Sequence, residues 1–412
     1  MSQQATGPAH RRAALGVVVA AGLTLTACAS TTAPSVSSSS ASSTPRRPAA
    51  SQPGGATTTT APAAPVAAGF APLSVTFVSA QVGWVLGTAP SGDGTRLAVA
   101  HTTDGGTTWS QGPAPAVTFG TGGAANGARI RFADPADGWI VTPPTGSTGA
   151  PASTLWATHD GGASWHQVTV PGGGAVAALE ASDGLAHLVT LGPNGTGVHL
   201  FTSSVPGDSW ARSATTLPIG GGPVPSAELT LHGAAGWLVE NDRVVVAGAR
   251  LASSGWARWT PPCTDANGLA HLAASSSSDL VAVCDEGQWG PPAPGTTAQA
   301  AWLFTSTDGG SHFTAVGEVD SPAVSASSVA TAPGDPQVVV VAGPGLTASF
   351  DGGHTWRTVY TPPSGQTVRF VGFTTATQGV AITAGASSST LLMTHDGGST
   401  WSAVALSATS AS

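Results

Sequence analysis

The chain has 412 residues, of which only 8% are charged, with 55 glycines, 32 prolines and a formal net charge of −8. All 13 of its cations are arginine and they form no basic stripe, which excludes the electrostatic footprint of a nucleic-acid-binding protein. Polarity comes instead from Ser, Thr, Gly and backbone, a composition that suits short strands joined by tight turns and disfavours long amphipathic helices.

At the N-terminus, Arg11 and Arg12 precede an apolar stretch, 13–27, too short to span a bilayer comfortably. It ends in "LTAC", Leu25 to Cys28. This pattern resembles the signal peptide of bacterial lipoproteins. The resemblance implies cleavage after residue 27, lipidation of Cys28 and anchorage on the outer face of the cytoplasmic membrane, stable because more than one acyl chain is attached. Losing the leader's two arginines takes the net charge from −8 to −10. Residues 28–66, beginning at that cysteine, are rich in Ser, Thr, Ala and Pro and have almost nothing to bury. They are expected to form a disordered tether with a span on the order of 35 Å.

Residues 67–412 repeat. The chain reads "TTDGGTTW" at 102–109, "THDGGASW" at 158–165, "STDGGSHF" at 306–313, "SFDGGHTW" at 349–356 and "THDGGSTW" at 394–401. A worn copy, "SSVPGDSW" at 203–210, has Val205 in place of the acid, and "SSGWARW" at 253–259 keeps only tryptophans. A second signal precedes each copy: a turn flanked by short apolar alternation, at Gly83-Trp84, Gly138-Trp139 and Gly236-Trp237, and more weakly at Gly184-Leu185, Asp279-Leu280, Gln337-Val338 and Gly379-Val380. Two hairpins per unit and seven units of roughly 49 residues predict an all-β fold: a seven-bladed β-propeller of four-stranded antiparallel blades. A single blade cannot bury both faces of its sheet, but a closed ring of blades can.

The acidic turns resemble the Asp-box, or bacterial neuraminidase repeat, of sialidase-like propellers. The resemblance implies that each box is a structural turn between the third and fourth strands of a blade. The chemistry agrees: a short carboxylate accepts hydrogen bonds from turn amides, glycine supplies unusual backbone angles and the aromatic buries a large area. Asp104 with Trp109, Asp160 with Trp165, Asp308 with Phe313, Asp351 with Trp356 and Asp396 with Trp401 are therefore expected to be scaffold. One carboxylate per turn falls well short of the six to eight oxygens calcium prefers. His159 and His395 occupy the variable box position and read as solvated, while His166 lies just past its box on the fourth strand; no metal or other cofactor is expected. The rhythm is also similar to that of the photosystem II assembly and stability factor group, a resemblance that implies a non-catalytic scaffold.

Sialidases of the Asp-box family use an arginine triad, a Tyr–Glu nucleophile and an aspartate. Here the sole tyrosine, Tyr360, falls on an outer fourth strand, and "ARIRF" at 128–132 lacks the proline of their Arg-Ile-Pro motif. Those enzymes also have six blades. A glycoside hydrolase using two carboxylates is the alternative, drawing on Asp93, Glu240, Asp242, Asp285, Glu286 and Asp320, mostly in apparent loops. The favoured function is non-enzymatic recognition of a protein or glycan by a monomer at the cell envelope. Its candidate contacts are Asp285, Glu286 and Trp289, read as an exposed cluster, and Arg131 and Arg369 near the innermost strands. Cys263 and Cys284, in an exported chain, are expected to pair as a disulfide.

Overall fold

In a computed structural model, the described residues are 64–92, 94–120, 125, 127–143, 152–192, 197–218, 226–242, 244–264, 268–285, 301–319, 326–386 and 388–406. The leader, Cys28, nearly all of the tether, Asp93, Glu286, Trp289 and Asp320 lie outside them. The chain is a seven-bladed β-propeller. Its blades span 71–112, 129–168, 175–217, 226–259, 270–318, 328–360 and 366–403, each with four consecutive antiparallel strands. Blade 1 also carries a short fifth strand, Thr118–Phe119, on its third strand.

Sequence patterning explains the layering. The second strands are buried on both faces by neighbouring blades, and so they read as near-continuous apolar runs: Gly138–Thr142 is buried throughout, as is Leu280–Asp285. The fourth strands, such as His166–Val168 and Arg357–Tyr360, face outward and are half-exposed or exposed for most of their length. The core is divided among the seams between blades rather than gathered in one hub. Val189 and Leu200 of blade 3 meet Leu229 and Leu238 of blade 4, and Val340 and Ala348 of blade 6 meet Val371 and Leu392 of blade 7.

The five acidic turns share one hydrogen-bond pattern. In blade 2, Thr158 Oγ1 donates to Asp160 Oδ1 at 2.8 Å and accepts from the Gly162 amide at 2.9 Å. Asp160 Oδ1 also accepts from the Ser164 amide at 2.8 Å, and Oδ2 from the Ser164 hydroxyl at 2.6 Å. Asp104, Asp351 and Asp396 repeat this with Thr108, Thr355 and Thr400, while Asp308 engages the amide and Nδ1 of His312. Hydrogen bonds from the side chain and amide of Thr108 hold the Asp104 carboxyl down at about 2. The two glycines of each turn have positive φ, 74° and 90° at Gly161 and Gly162, which fixes glycine there.

These turns join the blades. The Gly161 amide donates to the Ala136 carbonyl of its own blade at 2.8 Å, while its carbonyl accepts from Trp84 Nε1 of blade 1 at 3.1 Å. Gly309 does the same with Ser278 of its own blade, at 2.8 Å, and with Trp237 Nε1 of blade 4, at 3.0 Å. Each turn bonds within itself, and the five sit in separate blades around the ring rather than in one shared hollow.

Among the described residues the ring closes without an exchanged strand: Ala71–Phe77 is the innermost strand of blade 1, and blade 7 is completed by its own fourth strand. Val66 and Leu406 fill the seam between blades 7 and 1 with Val85, Leu391 and Met393, and Gln378 Nε2 donates to the Ala80 carbonyl across it at 2.9 Å. The expected tether boundary at residue 66 therefore falls inside packed structure, since Pro65 already pairs with Ser110 and the Gln111 amide donates to the Ala64 carbonyl at 2.8 Å. Cys263 and Cys284 form the expected disulfide, with Cα atoms 5.4 Å apart, pinning the connection after blade 4 to the second strand of blade 5.

Trp237 is fully buried at 0% exposure. Replacing it with alanine is expected to cost about 3–5 kcal/mol in urea denaturation, from lost packing and a cavity at the seam. Trp237→Phe, which keeps most of the volume but loses the bond to Gly309, is expected to cost about 1 kcal/mol more than packing alone explains.

Candidate functional site

The first strand of each blade lines the propeller axis, and neighbouring first strands pack side by side around it. They enclose an axial cavity of about 940 Å³, lined by residues from all seven blades. The lining includes the starts of the first strands and residues between second and third strands, such as Ala386 and Ser388. The cavity thus opens on the face opposite the acidic turns.

Three arginines line it, Arg129, Arg131 and Arg369, with two glutamates, Glu180 and Glu228. Alternation along a strand sends every second side chain to the same face, and the short inner strands carry these charges inward. Arg131 Nε donates to Glu180 Oε1 at 2.7 Å, and its Nη1 donates to the Ile130 carbonyl at 2.9 Å. The Arg131 guanidinium also lies 5.8 Å from the centre of the Phe370 ring. Arg129 donates to the Ala177 carbonyl. His271, behind the wall, donates from Nδ1 to Glu228 Oε1 at 2.6 Å. Arg369 is exposed at the cavity and has no ion-pair partner among the described residues.

Burial pulls the His271 imidazole down, but the Glu228 carboxylate outweighs it and lifts the group to about 9. Burial also pushes Asp285 up to about 6, against the pull of His271. Asp285 is only 4% exposed, closes the second strand of blade 5 and accepts from the Ala326 amide at 3.3 Å. This corrects the expectation that Asp285 stands in an exposed loop, since it ends a strand packed against the next blade; Glu286 and Trp289 lie outside the described residues. Glu240 and Asp242 are corrected likewise, since both are buried on the second strand of blade 4. Arg131 and Arg369 do reach the axis, as their inner-strand positions imply. Glu180, Glu228 and His271 carry no local motif that could have singled them out; only the inner-strand position they share with the two arginines marks them.

A second cluster lies on the other face, at the outer rim between blades 2 and 3. His159 Nδ1 is 2.5 Å from Asp137 Oδ1, and its Nε2 is 3.4 Å from Asp208 Oδ2. His166 Nε2 lies 2.8 Å from the same Asp208 oxygen. The expectation that His159 is merely solvated does not hold, since it is fixed between two carboxylates. Sequence spacing could not reveal this, because Asp208 comes from the neighbouring blade.

No family model and no curated protein matches the sequence. Among solved structures, the chain is similar to YCF48 from Cyanidioschyzon merolae, with 18% identity over 79% of this chain and 96% of that one and a TM-score of 0.53. It is similar to YCF48 bound to D1 peptide, with 17% identity, 80% and 92% coverage and a TM-score of 0.50. A polysaccharide lyase of family PL25, an ulvan lyase, shares 14% identity over 82% of this chain and 96% of that one, with a TM-score of 0.51. At these identities the likeness establishes the fold alone.

The His271–Glu228 pair gives a pH signature. A histidine lifted in the folded state stabilises it fully below its ordinary value of 6.5, and that contribution is lost as pH rises toward about 9. The thermal midpoint is expected to fall across this window in the native chain and to lose that slope in His271→Gln, as read by calorimetry at stepped pH.

Proposed function

We propose that this protein is a non-enzymatic binding propeller of the cell envelope, anchored through lipid on Cys28, that takes an acidic protein segment into the mouth of its axial cavity. The observation that carries this reading is the charge arrangement of the lining. Three arginines stand against two glutamates, both glutamates already have cationic partners, and Arg369 is left exposed to meet an incoming carboxylate. A guanidinium recognises carboxylate through paired N–H donors, so a free one in a partly enclosed mouth selects acidic ligands. YCF48, of similar fold, has been solved with a bound peptide from D1, which supports a protein ligand for a propeller of this shape. We read the five acidic turns as Asp-boxes with a purely structural role, since their carboxylates are consumed by their own turns.

Glycoside hydrolysis has one observation in its favour: Glu180 and Glu228 both line the cavity. A two-carboxylate mechanism needs one of them to act as a protonated acid. Both are already engaged, Glu180 by Arg131 at 2.7 Å and Glu228 by His271 at 2.6 Å, which weighs against that chemistry.

Titration of the chain with acidic peptides is expected to show saturable binding that weakens at least tenfold in Arg369→Glu, with an unchanged thermal midpoint. Binding to a glycan panel but to no peptide would overturn the protein ligand. Glycan cleavage abolished by Glu180→Gln or Glu228→Gln would overturn the non-enzymatic reading. For the anchor, metabolic labelling with a fatty acid is expected to mark the native chain and not Cys28→Ala.

A further inference from the structure

The worn turn of blade 3 departs from the others in two ways. It has Val205 in place of the clasping acid, and it has an acid, Asp208, where the intact turns carry Thr107, Ala163, Ser311, His354 and Ser399. Asp208 therefore takes no part in a clasp and reaches across the seam to blade 2. There it meets His159, in the variable position of that blade's turn, and His166, the first residue of its outer strand. The ligand atoms of these three side chains all lie within 4.8 Å of one another.

We infer that His159, His166 and Asp208 bind one divalent transition-metal ion of the zinc class at the rim between blades 2 and 3. Two imidazoles and one carboxylate are a donor set that suits zinc. Metal–nitrogen and metal–oxygen bonds of about 2.0–2.2 Å in a tetrahedron place donors roughly 3.3–3.5 Å apart. Of the two separations to Asp208 Oδ2, 3.4 Å meets that value and 2.8 Å is shorter, so side-chain rotations that open the His166 contact seat the ion.

The surroundings fit as well. Asp137 accepts the Nδ1 proton of His159, which fixes the tautomer and leaves the Nε2 lone pair facing the cluster. A carboxylate behind a ligating histidine is the usual outer partner in zinc sites. Two imidazole nitrogens thus converge on one carboxylate oxygen, and Asp208 Oδ1 is buried with no hydrogen-bond partner. A cation at the centre satisfies all three groups at once. The His166 side chain is 52% exposed and that of Asp208 27%, so the ion has an entry path and a solvent-facing fourth position. The ion would staple blade 2 to blade 3 at the seam where the acid of the blade 3 clasp has been lost.

The test uses the full chain without an affinity tag. Calorimetric titration with Zn²⁺ is expected to show one saturable site, and Co²⁺ to give the visible absorption of a tetrahedral nitrogen–oxygen site. His166→Ala and Asp208→Ala are expected to abolish both signals while leaving the far-ultraviolet circular dichroism unchanged. Asp137→Asn is expected to weaken affinity by about 10–100-fold. His395→Ala, which alters the equivalent variable position in blade 7, is expected to change nothing. Absence of saturable uptake by the native chain would overturn the site and leave the cluster as ion pairs only. An equal loss in His395→Ala, or full binding retained by both His166→Ala and Asp208→Ala, would overturn it as adventitious surface binding.

Discussion

One glycine with two obligations holds neighbouring blades in place. At Gly161 and Gly309 the amide is bonded to the strand 1–2 turn of the same blade, while the carbonyl receives an indole N–H from the blade before. Both groups sit at or near buried surface, where leaving either unpaired costs more than the bond itself contributes. The carboxylate clasp sets the turn so that the glycine can do this. Its left-handed backbone has no room for drift, and Trp84 and Trp237 bring both a large apolar area and the donor. A change in the clasp is therefore felt in the adjoining seam.

That arrangement separates the two faces of the ring. On one face, side chains are spent on clasps, and carboxylates such as Asp104 are held ionised by their own turns. On the other, the inner strands present charges to an axial cavity whose walls are fixed from behind. His271 sits where burial alone would neutralise it, and the Glu228 carboxylate at the cavity wall keeps it charged. The scaffold can carry such charges because the seams, not the axis, supply the apolar burial.

The repeat was legible because turn chemistry is local. Ser or Thr, Asp and two glycines close a hairpin with hydrogen bonds that span only four residues, so the same letters recur wherever the same turn recurs. Blade number, the placement of the acidic turns between third and fourth strands and the axial reach of Arg131 and Arg369 all follow from that register. The burial of Asp285, Glu240 and Asp242 is not legible for the converse reason: they end or extend second strands whose burial depends on the next blade. Glu180, Glu228 and Asp208 have no neighbours in sequence that mark them.

By itself, the sequence determined the number of blades, the order of strands within each and the residues that clasp each turn, because these interactions close within a single repeat. Tertiary structure alone decided which charges share the axis, how blade 7 meets blade 1 and that Asp208 faces His159 and His166. Those contacts join residues roughly 40 to 300 positions apart, as in the 298-residue span from Ala80 to Gln378. They are set by the curvature of the closed ring, which no local pattern encodes.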